Sequence, residues 1–200
     1  MSFADTFLAE AATICARIDR PAVEKMVQIL ADCRAAEGRV FVLGVGGSAA
    51  SASHLVNDLR KIARVETYAP TDNVAELTAR TNDEGWATCF AGWLQGSHLK
   101  PRDVIFVLSV GGGDSDRNIS PNLVQAIDYA KSIGARVVGI VGRDGGYTAK
   151  KADACVLIPV VSTDRITPHT ESFHSVVGHL LVSHPALQAA ATKWESAVSK

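Results

Sequence analysis

A histidine and an aspartate at helical spacing suggest proton-transfer chemistry. His54 and Asp58 are four residues apart, just after the glycine-rich stretch GVGGSAASASH (44–54). Residues four apart lie on one face of a helix, so the imidazole and the carboxylate would be neighbours. Such a pair can act as general base and general acid on carbon and oxygen. The alternative for His54 is a polar side chain at the exposed start of a helix.

A second group of such residues lies near the other end of the chain, in the pattern ExxHxxxxH (171–179). On a helix, Glu171 and His174 would share a face, whereas His179 would lie about 12 Å beyond Glu171 along the axis. Glu171 and His179 would therefore meet at one point only if their side chains converged. We expect His174 and His184 to serve in packing or at an interface, and His98 to lie on the surface.

The glycine-rich turn GVGGS (44–48) follows an apolar run and opens a helical segment. Gly46 and Gly47 allow a tight turn, and the free amides of a helix start, with Ser48, favour an anion such as phosphate. The turn is not GxGxxG, and no acidic residue ends the next strand as in nicotinamide sites. We therefore expect no nucleotide cofactor. The alternative is a turn that serves chain geometry alone.

A second glycine-rich loop, LSVGGGDSDRNIS (108–120), repeats this arrangement. Two such loops after parallel strands predict one phosphorylated ligand held between them. Two aspartates in the loop, Asp114 and Asp116, would repel phosphate, so they should point outward or bind sugar hydroxyls. The residues of this loop predicted to bind substrate are Ser109, Gly111, Gly112 and the helix N-cap Ser120.

Apolar strands that alternate with helices predict an α/β fold. The runs at 39–45, 65–70, 103–110, 136–142 and 154–160 are the expected strands of a doubly wound, five-stranded parallel sheet. Helices are expected between them at 48–63, 73–80, 86–97 and 120–134, and over about 170–198 with an interruption at Pro185. Two helices, 3–19 and 21 to about 38, precede the sheet. Ligands of such sheets bind beyond the carboxyl ends of the strands.

Composition limits the classes of protein. The 200 residues, 47% hydrophobic with a net charge of −1, suit a single domain, with a helical pair in 1–37 and the α/β core and C-terminal helices in 38–200. We expect no nucleic-acid partner, because no basic run is present. We expect neither a secretory signal nor a membrane span. The four cysteines are expected to be reduced core thiols of a cytoplasmic protein, and they are Cys15, Cys33, Cys89 and Cys155.

The motifs together resemble the sugar isomerase (SIS) domain family, in particular its phosphoheptose isomerase branch. The resemblance rests on GVGGSAASASH, Ser109, the turn TNDEGW (81–86), VGRDGGYTAKKAD (141–153) and ExxHxxxxH, and it covers about residues 1–183. It implies a nucleotide-free homotetramer with active sites between subunits. Such an enzyme converts the ketose phosphate sedoheptulose 7-phosphate to an aldose phosphate.

The resemblance also implies roles for single residues. The phosphate would be bound by Ser48, Ser109 and Ser120. Asp58 would be the base, where the branch has glutamate, and His179 the acid–base partner. A metal-dependent part of the branch would bind zinc with the residues that match His54, Asp58, Glu171 and His179, although glutamine is usual at position 171. Asn82 and Asp83 would lie near the active site; the alternative for them is an N-cap turn.

Three features depart from the family pattern. Val45 replaces an asparagine, loop 110–119 is about six residues longer, and RITPHTE (165–171) carries about three extra residues. His169, in that insertion, could contact substrate, and Arg165 could pair with phosphate or with an acidic neighbour. These departures leave two alternatives open: an isomerase for a different sugar phosphate, and a noncatalytic module that binds a sugar phosphate or a protein.

Overall fold

The computed structural model describes residues 2–193, in which five parallel strands form one sheet. Their order is β2-β1-β3-β4-β5, the flavodoxin-like order, and the sheet is doubly wound and parallel as the alternation of strands and helices predicts. The strands are β1 Arg39–Leu43, β2 Glu66–Tyr68, β3 Val104–Ser109, β4 Arg136–Val141 and β5 Ala154–Leu157. The order reverses between β1 and β3, and the two glycine-rich turns follow these two strands.

Eight helices connect and flank the strands in the described part of the chain. They are α1 Phe3–Arg17, α2 Arg20–Ala35, α3 Gly47–Lys61, α4 Val74–Asp83, α5 Cys89–Gly96, α6 Pro121–Ile133, α7 Gly146–Lys151 and α8 Ile166–Ser183. None of these helices is long and apolar enough to cross a bilayer.

Both faces of the sheet are covered, which explains why the strands are apolar on both sides. Alternate strand residues such as Val42 and Phe106 pack with α1, α2, α3 and α8 in one buried cluster. Their neighbours Phe41 and Val107 face α5 and α6 in a second cluster. Burial of these side chains is the main source of stability for a sheet of this kind.

Several element boundaries differ from the sequence prediction. Strand β2 has three residues and β5 ends at Leu157, before Pro159. Helix α4 continues to Asp83, and α8 begins at Ile166, four residues earlier than predicted, because a proline is tolerated in the first turn of a helix. The part of the predicted last helix beyond residue 193 lies outside the described residues.

The prediction of core cysteines was wrong for Cys15, which is exposed on α1, whereas Cys33 and Cys89 are buried. Burial raises the pKa of the Cys33 and Cys155 thiols to about 11, so both remain protonated at neutral pH. All four cysteines are free thiols.

Candidate active site

The first glycine-rich turn places the start of α3 at the carboxyl end of β1. Gly46 is the N-cap residue and has a φ of 63°. A side chain at Gly46 would strain this left-handed backbone, so glycine suits the turn. Ser48 is buried in the first turn of the helix. The helix then runs down the face of the sheet and carries His54 and Asp58.

Helix α8 packs beside α3 and completes a group of three side chains. Nε2 of His54 lies 3.0 Å from Nε2 of His179. Both nitrogens face Oδ2 of Asp58, at 3.2 Å and 3.4 Å respectively. The i, i+4 spacing therefore joins His54 and Asp58 as predicted, and His179 comes from the other helix.

The three side chains differ in their exposure. About half of each histidine side chain is exposed in the single chain, 54% for His54 and 57% for His179, whereas the Asp58 side chain is only 10% exposed. The Asn57 amide donates to Asp58 Oδ1 at 2.9 Å. Asp58 is thus a fixed carboxylate with two accessible imidazoles above it, which is suitable for chemistry on a ligand from solvent.

The same three atoms fit the first coordination shell of a divalent ion. His54, Asp58 and His179 each offer one ligand atom, and all three atoms lie within 4.8 Å of one another. Two ligands of a tetrahedral zinc ion, each bonded at about 2.0–2.2 Å, lie about 3.3–3.5 Å apart. The His179–Asp58 separation of 3.4 Å falls in this range, and the other two separations, 3.2 Å and 3.0 Å, are slightly shorter. Three protein ligands with one open position are typical of catalytic zinc.

Glu171, the fourth predicted ligand, is not part of this three-residue group. Its carboxylate lies at the glycine-rich turn instead, where a Cβ added to Gly47 would be 2.5 Å from both carboxylate oxygens. The lack of a side chain at Gly47 thus makes room for Glu171. As expected from their separation along α8, Glu171 and His179 do not meet at one point, because the two residues face different ends of α3.

The second glycine-rich loop lies beside the first, since β1 and β3 are paired. The Gly112 amide donates to Ser109 Oγ at 3.0 Å, so this hydroxyl is oriented by the loop itself. Ser120 stands at the N-cap position of α6, as predicted, but its backbone is left-handed and its side chain makes no capping hydrogen bond. Its hydroxyl is therefore not used by the helix.

The acidic part of this loop is held within the loop. Asp114 accepts hydrogen bonds from the Asp116 and Arg117 amides and from Arg117 Nε. These bonds keep the pKa of the Asp114 carboxyl below its usual value. Asp116 is exposed. Asp116 thus points outward, as predicted for both aspartates, whereas Asp114 is bonded within its own loop.

Comparison with known proteins relates this site to one family. The sequence profile of the SIS domain matches residues 6–142. The chain belongs to the SIS domain family. A curated phosphoheptose isomerase from Rhodospirillum rubrum is 34% identical to it over 166 residues, covering 80% of this chain and 82% of the relative.

Two further SIS relatives span most of the chain. Lincomycin biosynthesis protein LmbN from Streptomyces lincolnensis is 33% identical over 191 residues, which cover 92% of this chain and 69% of that protein. The solved structure of phosphoheptose isomerase GmhA from Neisseria gonorrhoeae superimposes with a TM-score of 0.77 at 24% identity, covering 90% of this chain and 95% of that one, and it supports the fold. The curated relatives place this SIS protein among enzymes of the aldose–ketose isomerase type.

Asn82 and Asp83 lie in the last turn of α4 of the SIS domain, not in a turn after it. Both are exposed, and the Asn82 amide donates to Asp83 at 2.8 Å. Within residues 2–193 neither side chain bonds to the glycine-rich turns or to the His54–Asp58–His179 group. The structure therefore does not bring these two predicted residues together with the others.

A partly buried ion-pair group that sequence reasoning missed joins α1 to α8. Arg165 donates to Glu10 through Nε at 2.8 Å and Nη2 at 2.7 Å, and His169 Nε2 lies 2.8 Å from the same carboxylate. These two partners lower the pKa of Glu10 to about 2. The idea that His169 contacts substrate from a loop was wrong, because the residue is buried in α8. No local sequence pattern predicts this group, because Glu10 and Arg165 are 155 residues apart.

Proposed function

We propose that this chain is a phosphosugar isomerase that converts sedoheptulose 7-phosphate to the corresponding aldose phosphate. Asp58 and His179 would be its acid–base pair. One observation carries the proposal. Asp58 lies on the helix that begins at a glycine-rich turn, and its fixed Oδ2 faces two accessible imidazoles at 3.2 Å and 3.4 Å. The relationship to curated phosphoheptose isomerases supports this choice of substrate.

The Asp58 carboxylate would move the proton between the two carbons. It removes the proton from carbon 1 of the ketose, and the electron pair of that C–H bond passes into an enediolate. The protonated carboxyl then returns the proton to carbon 2, which gives the aldose. Asp58 suits this role because it is fixed by Asn57 and only 10% exposed, so the carboxylate need not reorganise during the reaction.

His179 would move protons on the oxygens. Its imidazole donates a proton to the oxygen on carbon 2 and accepts the hydroxyl proton from the oxygen on carbon 1, so the atoms balance over one turnover. Zinc held by His54, Asp58 and His179, and by Glu171 if its side chain swings toward them, would stabilise the negative charge of the enediolate. His179 would then hold the ion through Nε2 and exchange protons through its other ring nitrogen, Nδ1. Asp58 has two oxygens, and so one can bind an ion while the other exchanges a proton.

The spacing of the groups along α3 suits a long sugar phosphate. His54 lies six residues after Ser48 and Asp58 ten, which places them about 9 and 15 Å further along the helix axis. A seven-carbon chain with a terminal phosphate is on the order of 10 Å long at ordinary bond lengths. We propose that Gly46, Gly47, Ser48, Ser109, Gly111, Gly112 and Ser120 hold the phosphate end.

Glu171 lies at the glycine-rich end of this path, against Gly47. A carboxylate there accepts hydrogen bonds from sugar hydroxyls and repels phosphate. We propose that it contacts the sugar hydroxyls nearest the phosphate, and that the phosphate itself lies toward Ser109 and Ser120. We also propose that Asn82 and Asp83 contact the sugar.

A second candidate is an isomerase for a different sugar phosphate. One observation in its favour is the long, internally bonded loop from Asp114 to Ile119. The other is the match to LmbN, which is named for lincomycin biosynthesis and not as a phosphoheptose isomerase. That match covers more of the chain than the match to the Rhodospirillum rubrum enzyme. Both candidates use the same proton transfer, and they differ only in the sugar.

We further propose a cytoplasmic homo-oligomer, a tetramer by family resemblance, with the site between subunits. The half-exposed His54 and His179, and the exposed apolar side chains of Val176 and Leu180 on the same helix α8, support a covered site. The single-domain arrangement over 1–200 is part of the same proposal.

The test is conversion of a panel of ketose phosphates by purified protein, followed by NMR. We expect sedoheptulose 7-phosphate to be converted at least tenfold faster than the five- and six-carbon ketose phosphates. A faster reaction with a shorter or longer sugar would favour the second candidate. No conversion of any ketose phosphate, with or without added zinc, would contradict an isomerase.

A further inference from the structure

His174 lies on α8 between Glu171 and His179, and the proposed reaction gives it no role. The side chain is buried, with 2% of the residue exposed. Neither Nδ1 nor Nε2 has a hydrogen-bond partner within the described residues. An unpaired donor and acceptor in a protein interior are rare and destabilising, so such a histidine calls for a physical explanation.

The ring of His174 remains neutral at physiological pH. Burial lowers its pKa to about 4, and the nearby backbone of Ile140 acts in the opposite direction. A neutral imidazole carries one N–H donor and one acceptor nitrogen. His174 is therefore able to hold a small polar molecule in a fixed orientation.

A small cavity connects His174 with the candidate site. It lies between α3 and α8, and its lining includes His54, Asp58, His174, His179 and Ser51. Its volume, about 10 Å³ for the centre of a water molecule, is close to the least that one buried water needs. A buried water also needs two to four polar partners, and this lining supplies them.

The Asp58 carboxylate can accept one more hydrogen bond. Its oxygens already face Asn57, His54 and His179. A carboxylate has about four acceptor positions, so one remains for a further donor. A water that accepts from the His174 N–H and donates to Asp58 would satisfy that donor and the remaining acceptor position of the carboxylate.

We propose that His174 is a positioning residue that orients Asp58 through a water molecule in this cavity. It acts from behind the His54–Asp58–His179 group and does not touch the substrate. The expected effect of His174 on kcat rests on the proposed function. Its expected effect on metal binding does not depend on the substrate. Groups that orient metal ligands in this way typically change metal affinity or activity by about 10–100-fold.

The test compares His174→Leu with His174→Gln. Leucine keeps the volume of the side chain and removes its hydrogen bonds, whereas glutamine keeps an amide donor. We expect His174→Leu to bind zinc at least tenfold more weakly, by competition with a chromogenic chelator, and to lower kcat at least tenfold with KM within twofold. Its Tm should be equal to or above that of the wild type. His174→Gln should recover most of the zinc affinity.

Phe173→Leu is the matched control, because Phe173 is an equally buried neighbour on α8. It should lower Tm and leave zinc affinity unchanged, which separates packing from positioning. Zinc affinity and kcat in His174→Leu equal to those of the wild type would overturn the inference. A wild type without isomerase activity would contradict the proposed function, while the zinc comparison would still decide the role of His174.

A crystal structure that resolves ordered waters tests the inference without metal or substrate. The expected result is a water within hydrogen-bond distance of a His174 ring nitrogen and of the Asp58 carboxylate. An empty cavity, or a His174 ring bonded only to backbone, would overturn it.

Discussion

Two carboxylates bind α8 to other helices, and they differ in how fully they are paired. Glu10 accepts from Arg165 and His169 at 2.7–2.8 Å, with 14% of its side chain exposed. Asp58 faces two imidazoles at 3.2 Å and 3.4 Å, and those rings are half exposed. The Glu10 group has its partners within the chain, whereas the Asp58 group leaves positions for a ligand. The first is organised for stability and the second for chemistry.

The largest expected effect comes from changing the carboxylate of the Asp58 group to an amide. Asp58→Asn removes the proposed base without changing the shape of the side chain. We expect kcat to fall by about 10²–10⁴-fold. Thermal stability should stay the same or rise, because an incompletely paired buried charge is lost. Steady-state kinetics and thermal melting measure the two effects, and a large loss of stability would instead indicate a structural role for Asp58.

The next effect concerns zinc. His179→Ala removes one of the three proposed ligands. His184→Ala is the control, because His184 faces Glu24 at 3.3 Å and is not part of the three-residue group. Protein purified without chelator should contain zinc close to one per chain, and His179→Ala should lose most of it. Metal analysis decides the matter: equal zinc content in both variants would exclude His179 as a ligand.

Glu10→Gln should lower stability and leave activity nearly unchanged, which is the reverse of the effects expected for Asp58→Asn. Loss of the charge leaves Arg165 and His169 with a weaker partner, so we expect Tm to fall by roughly 2–4 °C. The kcat measured well below Tm should change less than twofold. Reduced activity at unchanged Tm would mean that the Glu10 group is part of the catalytic machinery.

The pH dependence of stability distinguishes wild type from Glu10→Gln. The pKa of Glu10 is about 2 in the folded protein against an ordinary value of 4.5, so its contribution to stability is complete above about pH 4.5 and declines as the pH falls toward 2. The free energies of unfolding of the wild type and Glu10→Gln, measured with urea at several pH values, should therefore converge below pH 4.5. A difference that is independent of pH down to 2 would contradict the ion pair.

The last prediction concerns the pH dependence of stability that His174 causes. Its pKa of about 4 lies below the ordinary value of 6.5, so the unfolded chain binds the additional proton between these pH values. Stability should thus fall as the pH drops from 6.5 to 4, by about 3 kcal/mol in all. In metal-free protein, His174→Leu should remove this pH dependence of the free energy of unfolding. An unchanged pH dependence would mean that His174 is protonated in the folded protein.

The sequence predicted the sheet and half of the site because those signals are local. Continuous apolar runs mark the strands, and the i, i+4 spacing joined His54 to Asp58. The sequence failed where contacts are distant. Glu10 meets Arg165 across 155 residues, and the position of Glu171 depends on how α8 lies against α3. The insertion around His169 looked like a loop, although tertiary packing makes it the first turn of α8.

Deuterium incorporation tests the central claim, that Asp58 transfers a proton between adjacent sugar carbons. Wild type and Asp58→Asn would be incubated in D₂O with sedoheptulose 7-phosphate and followed by proton NMR. The account predicts that the wild type exchanges a carbon-bound hydrogen of carbon 1 or 2 for deuterium, and that Asp58→Asn slows this exchange at least a hundredfold. Exchange at the wild-type rate in Asp58→Asn would contradict it.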